Sequence, residues 1–323
     1  MDRLSLRQQV GQLTISSFPG SRPPPYIRRR LRAGETAGVI LFSFNAGPPA
    51  QWQRLTRALQ RNAHRGALVM VDQEGGDVRT VGWAGPVAAQ PLQGSPATVR
   101  RGARTAAQQL RRAGVNVNLA PVADVPAGAS AALRSRVFAG DAAGIAERTR
   151  AAVEGIWAAR LAATVKHFPG LGRAVVNTDD GAATIGGDLR RDLVPFRAAL
   201  RADVPLVMLS HAVYPALDER RIASQSPRIV TGLLRERLGF DGVVVTDSIE
   251  AQAVLDRSGV AVAAERSLRA GADLILMTGS ASWNEVHPRL LALARRSASF
   301  RERVRRSAAR VLELKRRLGL RLP

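Results

Sequence analysis

The sequence predicts an α/β fold, a single (β/α)8 TIM-type barrel, on the basis of three observations. Short apolar runs rich in β-branched residues alternate with polar turns and with Ala-, Arg- and Leu-rich stretches of helical periodicity. Eight such runs occur, and eight parallel strands close a barrel. Several runs end in a charged or polar residue, and a barrel gathers the carboxyl ends of all its strands on one face.

The eight predicted strands cover almost the whole chain. An open doubly wound sheet would gather only a few of their polar ends at its switch point, so the barrel explains the pattern better. No Pro- or Ser-rich linker divides the chain, which predicts one catalytic domain over residues 1–323. The predicted strands are 12–18, 38–44, 67–72, 115–122, 162–168, 206–211, 242–247 and 273–278.

The C-terminal tail, residues 300–320, has the pattern of one basic amphipathic helix. Its apolar positions recur at helical spacing, so we expect this side of the helix to pack against the barrel. The residues on that side are Val304, Ala308, Val311 and Leu314.

Composition excludes several classes of protein. The chain has no cysteine, which excludes disulfides, thiolate catalysis and Cys-ligated zinc. Its apolar runs are strand-sized and end in charges, so none predicts a membrane span. Asp2, Arg3 and Arg7 stand where a signal peptide needs an apolar region. We therefore expect a cytoplasmic protein, or an exported or cell-envelope protein if the N-terminus has been trimmed.

The formal net charge of +22 comes almost wholly from arginine, because Lys166 and Lys315 are the only lysines. Such a surface attracts polyanions, either nucleic acid or anionic wall polymers. The arginines concentrate in segments such as 100–112 and 301–321, however, where solvated helix faces explain them. We expect at most a nonspecific polyanion contact through this basic surface. Aromatic residues make up only 4%, which argues against a single-strand nucleic-acid binder.

Asp247 is the first candidate catalytic residue, because it follows the apolar positions 243–246 and precedes a helical pattern. A carboxylate there faces a ligand at the barrel mouth. A retaining glycosidase needs such a nucleophile and a second acidic group about 5–5.5 Å away. The alternative is that Asp247 only caps the following helix.

Lys166 and His167 end another predicted strand and open a glycine-containing turn. Since this chain uses arginine almost everywhere else, a lysine at this position indicates a need for a compact ammonium group. The pair suits donation to sugar hydroxyls, while a Schiff-base role for Lys166, as in an aldolase, remains an alternative. Asp72 and Glu74 precede the Gly75–Gly76 turn, and Asp72 ends a predicted strand. An acidic strand end beside a glycine pair suits bidentate hydrogen bonding to a sugar diol.

Residues His64, His287 and Glu285 lack metal-ligand spacing, so we interpret them as surface residues and predict no metal site.

Eight segments from about residue 4 to residue 320 occur in the order typical of one enzyme family. The chain resembles the family-three glycoside hydrolases, specifically the short, single-barrel β-N-acetylhexosaminidases of bacterial cell-wall recycling. The segments are LSLRQQVGQL (4–13), VDQEGG (71–76), NVNLAPVADV (116–125), SRVFAGD (135–141), KHFPGLG (166–172), IASQSP (222–227), LGFDGVVVTDS (238–248) and SLRAGADLILM (267–277).

The resemblance implies that Asp247 is a nucleophile that forms a covalent glycosyl-enzyme intermediate. It implies no metal and no organic cofactor. Enzymes of this type remove terminal N-acetylglucosamine, often from muropeptides, and we expect this chain to act as a monomer. The positions that match the family's sugar-holding residues are Asp72, Arg136, Lys166, His167 and His211.

Two departures from the family pattern qualify the expected mechanism. Typical members carry Asp-Ser/Thr-His after the KHFPGHG turn, with the histidine as acid/base, whereas residues 177–179 here read Asn-Thr-Asp. Our hypothesis is that Asp179 or Asp180 protonates the leaving oxygen, with a raised pKa. In addition, the family's arginines are absent at positions 77 and 80, where Arg79 is the nearest substitute.

The sequence therefore predicts a retaining hydrolase that removes terminal β-linked N-acetylglucosamine from cell-wall-derived or related glycans. Two further interpretations stay open. One is a catalytically weak or inactive sugar-binding homologue, which the missing histidine favours. The other is a β-glucosidase of the same family.

Overall fold

The computed structural model describes residues 4–128 and 130–321 and contains the predicted barrel. Asp2 and Arg3, on which the interpretation of the N-terminus rests, lie outside the described residues. Every observed barrel strand falls within a predicted run, and the fifth matches its run at both ends. In chain order the strands are β1 (Thr14–Ser16), β2 (Gly38–Ile40), β3 (Leu68–Val71), β4 (Val117–Asn118), β5 (Ala162–Phe168), β6 (Leu206–Leu209), β7 (Val243–Thr246) and β8 (Ile275–Leu276).

The strands are parallel and follow one another around the barrel in sequence order. The first strand, β1, pairs with β8 through Thr14 and Ile275. Between β7 and β8 the barrel is closed by a parallel bridge from Val245 to Leu274. The Thr246 amide also donates a 3.0 Å hydrogen bond to the Leu274 carbonyl at this point. Closure brings the carboxyl ends of all eight strands to one face.

Helices cover the outside of the barrel, as expected for crossover connections between parallel strands. Side-chain caps begin several of them: Ser5 caps α1, Ser95 caps α4 and Asp141 caps α5. The helices of the described residues are α1 (Leu6–Gly11), α2 (Pro25–Ala33), α3 (Pro49–Asn62), α4 (Pro96–Arg112), α5 (Ala142–Ala158), α6 (Leu193–Arg201), α7 (Arg228–Arg237, a π-helix), α8 (Gln252–Leu255), α9 (Val260–Ala270), α10 (Trp283–Arg296) and α11 (Ala298–Arg317).

Inward-facing side chains of all eight strands fill the barrel, and the C-terminal helix contributes to the same apolar cluster. Val311 and Leu314 of α11 are buried with residues such as Ile15 and Val243. The predicted packing of the tail is thereby confirmed, with the helix starting two residues earlier than predicted. No helix within the described residues has both the length and the hydropathy that a membrane crossing needs.

His287 corrects the sequence interpretation, because it is buried and not on the surface. Its ring stacks on Trp283, with the ring centroids 4.6 Å apart, and its Nε2 lies 3.3 Å from the Arg7 carbonyl oxygen. The apolar face of α10 turns this side chain toward α1. His64 and Glu285 are exposed, as the sequence predicted.

Lys315 is completely buried, where its Nζ donates a 2.8 Å hydrogen bond to Gln12 Oε1. Burial, reinforced by the charge of Arg65, lowers the pKa of Lys315 to about 7. Because this pKa is below the ordinary lysine value of 10.5, the folded state binds fewer protons than the unfolded state between these two pH values. Stability therefore rises with pH across this range.

We expect Lys315→Met to be more stable than the wild type at pH 6, by a few kcal/mol at about 1.36 kcal/mol per pKa unit. The difference should shrink as the pH approaches 10, because the unfolded lysine then also loses its proton. Thermal unfolding midpoints between pH 6 and pH 10 measure this effect, with the exposed neighbour Arg316→Met as the control. Parallel pH profiles for Lys315→Met and wild type would contradict the expectation.

Candidate active site

A cavity of about 370 Å³ opens at the face where the carboxyl ends of the strands meet. Its floor includes the barrel side chains Ile40, Leu119, Met208 and Leu276, and polar residues form its walls. A larger cavity of about 830 Å³ lies at the opposite end of the barrel, and none of the predicted site residues lines it. The predicted residues that line the smaller cavity are Asp72, Arg79, Arg136, Lys166, His167, Asp179 and Asp247.

Asp247 follows directly on β7, so the strand places its carboxylate in the cavity. Its Oδ1 accepts a 2.8 Å hydrogen bond from the Ser248 amide, and its Oδ2 lies 3.7 Å from His167 Nε2. Burial raises the pKa of Asp247, but the charges of His167, His211 and Lys166 outweigh burial and lower the pKa below its ordinary value. The carboxylate is thus held ionised.

Lys166 reaches two carboxylates from the end of β5. Its Nζ lies 2.6 Å from Asp72 Oδ1 and 2.7 Å from Glu74 Oε1. Arg136 donates two hydrogen bonds to the same Glu74, of 2.9 Å and 2.7 Å. The oxygens of Glu74 are therefore engaged by two cations, and its side chain is only 1% exposed, whereas that of Asp72 is 24% exposed.

This network gives the two acidic residues different roles. Glu74 orients Lys166 and Arg136, while Asp72 keeps an accessible oxygen. The sequence did not assign this role because Arg136 lies 62 residues away from Glu74 along the chain.

Burial raises the pKa of Glu74, but Lys166 and Arg136 lower it to about 2, against an ordinary value of 4.5. A carboxyl with a depressed pKa stabilises the fold above the unfolded pKa, and this stabilisation is lost as the pH falls toward the folded pKa. We expect Glu74→Gln to lower the free energy of unfolding at pH 7 by about 3 kcal/mol, because it leaves buried cations without their partner. Urea denaturation measures this change.

The matched control is Glu313→Gln, which removes a glutamate from an exposed pair with Arg316. We expect little change in that variant. Equal losses of stability in the two variants would show that the buried network contributes no more than a surface ion pair.

Asp124 fixes the orientation of His167. Its Oδ2 accepts a 2.7 Å hydrogen bond from His167 Nδ1, and its Oδ1 accepts from the amides of His167 and Leu171, at 3.2 Å and 2.6 Å. The second ring nitrogen of His167 is thereby directed toward Asp247. In the sequence Asp124 stands two residues after the predicted strand 115–122, and its contact with His167 became visible only with the fold.

Asp179 lies on the loop of residues 173–181 and lines the cavity, with its side chain still accessible to solvent. Partial burial and the negative charge of Asp247 raise the pKa of Asp179 above its ordinary value. Backbone hydrogen bonds from Gln252 to Asp179 and from Ala253 to Thr178, both 3.1 Å, attach this loop to α8. Asp180 is exposed and does not line the cavity, so the structure separates the two candidate acids.

His211 is buried and lies behind the cavity wall, not in it. Its Nε2 donates a 2.9 Å hydrogen bond to the Ser248 carbonyl, and its Nδ1 lies 2.8 Å from Ser224 Oγ. Both ring nitrogens are therefore engaged by the protein, which leaves none for a sugar. The position of His211 suits support of the backbone next to Asp247.

Arg79 lines the cavity from a short antiparallel hairpin formed by Gln73–Gly75 and Val78–Arg79. Its Nη2 donates a 2.7 Å hydrogen bond to the Gly82 carbonyl. Asp77 and Thr80 lie on the same wall. Within residues 4–128 and 130–321, no group of three or more His, Asp and Glu side chains could hold a metal ion.

Residues 5–314 match the family described as Glycosyl hydrolase family 3 N terminal domain. The chain belongs to glycosyl hydrolase family 3. A Beta-hexosaminidase of Xanthomonas oryzae pv. oryzae is 36% identical to this family 3 chain over 276 residues, which are 81% of this chain and 80% of the relative.

Two solved structures are similar to this family 3 barrel. A glycoside hydrolase family 3 beta-N-acetylglucosaminidase from Paenibacillus sp. has a TM-score of 0.92 at 34% identity, covering 98% of this chain. The present chain spans only 63% of the Paenibacillus chain. The Beta-N-acetylhexosaminidase from Beutenbergia cavernae has a TM-score of 0.86 at 32% identity and is covered over 98% of its length, with 97% of this chain. The similarity therefore extends over the whole barrel.

Proposed function

We propose that this family 3 protein is a retaining glycoside hydrolase that removes terminal β-linked N-acetylglucosamine from cell-wall-derived or related glycans. The observation that carries the proposal is a pair of carboxyl groups, Asp247 and Asp179, in one cavity with pKa values shifted in opposite directions. Environments that separate two carboxyl pKa values in this way allow one group to act as a base or nucleophile and the other as an acid. Retaining glycosidases require such a pair.

In the first step, a carboxylate oxygen of Asp247 attacks the anomeric carbon while the bond from this carbon to the leaving oxygen breaks. Protonated Asp179 donates its proton to that oxygen, so the aglycone departs as a neutral alcohol. In the second step, Asp179, now a carboxylate, takes a proton from water. The water oxygen attacks the anomeric carbon and releases Asp247 from the glycosyl ester.

We assign sugar binding to the part of the cavity lined by Asp72, Lys166 and Arg136. Asp72 offers an accessible carboxylate oxygen, and Lys166 and Arg136 offer N–H donors beside it. A donor and an acceptor side by side suit the adjacent hydroxyls of a sugar ring. His167, oriented by Asp124, adds a polar contact next to Asp247.

The names of the similar proteins, Beta-hexosaminidase and beta-N-acetylglucosaminidase, support N-acetylglucosamine over glucose as the released sugar. A panel of 4-nitrophenyl β-glycosides tests this proposal. We expect the highest kcat/KM for the N-acetylglucosaminide and release of the β-anomer first, as observed by NMR. A preference for the β-glucoside, or release of the α-anomer first, would contradict the proposal.

A sugar-binding protein without turnover is the second candidate, because position 179 carries an aspartate where typical members have the acid/base histidine. Binding of N-acetylglucosamine without hydrolysis of any aryl glycoside, including those with activated leaving groups, would favour this candidate.

A further inference from the structure

A groove of about 390 Å³ lies on the outer surface beside α2 and α3, apart from the catalytic cavity. Four of the residues that line it are arginines, and none is acidic or aromatic. The lining residues are Ser21, Arg22, Pro23, Arg28, Gln51, Arg54, Leu55, Ala58, Arg61 and Asn62.

No acidic side chain in the part of the chain that the structure describes neutralises the arginines of this groove. Ion pairs engage many arginines elsewhere on the surface, such as Arg316 with Glu313. Within residues 4–128 and 130–321, no carboxylate lies within ion-pair distance of Arg22, Arg28, Arg54 or Arg61. The larger cavity at the far end of the barrel differs, because three acidic residues accompany its five arginines. The charged side chains that line the α2–α3 groove are therefore all positive.

The arginines come from two segments of the chain. Arg54 and Arg61 are seven residues apart on α3, which separates their Cα atoms by about 10 Å along the helix axis. Arg22 and Arg28 come from the loop before α2 and from α2 itself. A linear chain of anions lying in the groove could contact guanidinium groups from both segments. The planar guanidinium fork binds two oxygens of a phosphate group at once.

One end of the groove lies at the same face of the barrel as the catalytic cavity. Asn45 holds the loops after β1 and β2 together, because its Nδ2 donates to the carbonyls of Phe18 (2.9 Å) and Gly20 (2.7 Å). Ser43 of the second loop lines the cavity, while Ser21 of the first loop lines the groove. A chain bound in the groove would extend toward the site of hydrolysis.

We propose that this groove is a binding site for a linear phosphate chain without nucleobases, of the kind represented by inorganic polyphosphate. Single-stranded nucleic acids are held largely by stacking of bases on aromatic side chains, and the groove has none. At this site the basic protein would bind a polyanion through one defined surface. The proposal does not depend on the proposed hydrolase activity.

The test compares the groove variant Arg22→Gln/Arg28→Gln/Arg54→Gln/Arg61→Gln with a control variant of equal charge, Arg104→Gln/Arg266→Gln/Arg295→Gln/Arg306→Gln. The four control arginines are also exposed but lie outside the groove. Binding of inorganic polyphosphate is measured by calorimetry at several salt concentrations, and hydrolysis of an aryl glycoside or thermal unfolding verifies that each variant folds.

We expect the groove variant to bind polyphosphate at least about tenfold more weakly than wild type, and its salt slope to fall by roughly three, at about 0.7 per lost contact for a single-stranded polyanion. The control variant should lose less than about twofold. Equal losses in both variants, or no binding by wild type, would overturn the proposal. Tighter binding of oligouridylate than of polyphosphate, abolished in the groove variant, would overturn it in favour of nucleic acid.

Discussion

Replacing Asp247 with asparagine is expected to lower kcat on 4-nitrophenyl N-acetyl-β-glucosaminide by roughly 10⁴-fold or more, the scale of effect seen when a covalent nucleophile is removed. The amide has nearly the shape of the carboxylate but cannot form the glycosyl ester. Steady-state kinetics measures the loss, and thermal unfolding verifies that the barrel remains folded.

Asp241→Asn is the matched control, because Asp241 lies just before the opposite end of the same strand, β7, and is exposed. We expect this variant to keep the activity of the wild type. Asp247→Asn with undiminished turnover would remove the basis of the proposed mechanism.

Asp179→Asn is expected to have the second largest effect. On substrates with poor leaving groups, kcat/KM should fall by about 10²- to 10⁴-fold, because general acid catalysis supplies acceleration of this size. Activated leaving groups need little protonation, so kcat/KM on substrates that carry them should fall much less. Azide should restore turnover with such substrates and yield the glycosyl azide, since it attacks the intermediate without a general base.

The pH dependence adds an independent test of the same residue. Activity requires ionised Asp247, whose pKa is lowered, and protonated Asp179, whose pKa is raised. The wild type should therefore lose kcat/KM as the pH rises through the pKa of Asp179, and Asp179→Asn should lack this basic limb.

Asp180→Asn is the control for the acid, because Asp180 neighbours Asp179 but does not line the cavity. Its kinetics should match the wild type. If Asp179→Asn and Asp180→Asn had the same kcat/KM on substrates with poor leaving groups, Asp179 would not be the acid.

The sequence predicted the barrel because its strands are short apolar runs, several of which have a polar end, and this is a local signal. The same signal predicted that Asp72, Lys166, His167 and Asp247 converge, since strand ends meet in a barrel. The exact first and last residues of the strands could not be predicted from sequence. The hydrogen bonds that limit β4 to Val117–Asn118, for example, depend on the neighbouring strands.

The supporting residues of the site could not be assigned from sequence. Glu74 and Asp124 were visible as acidic residues near strand ends, but only the fold brings Glu74 to Arg136 and Asp124 to His167. His211 matched a sugar-holding position, yet the structure uses both its ring nitrogens internally. Burial decides these roles, and burial of a single polar side chain has no local signature.

The choice between Asp179 and Asp180 was likewise open in the sequence. Adjacent residues on a loop point in different directions, and the direction depends on the backbone. The attachment of residues 178 and 179 to α8 places Asp179 at the cavity.

Covalent trapping of the intermediate is the sharpest test of Asp247 as the nucleophile. An activated fluoro-substituted N-acetylglucosaminyl fluoride slows both steps, and its good leaving group lets the glycosyl-enzyme accumulate. We expect intact-mass spectrometry to find one added sugar per chain and peptide mapping to place it on Asp247. A sugar ester on any other residue, or hydrolysis of the probe with inversion of configuration, would contradict this expectation.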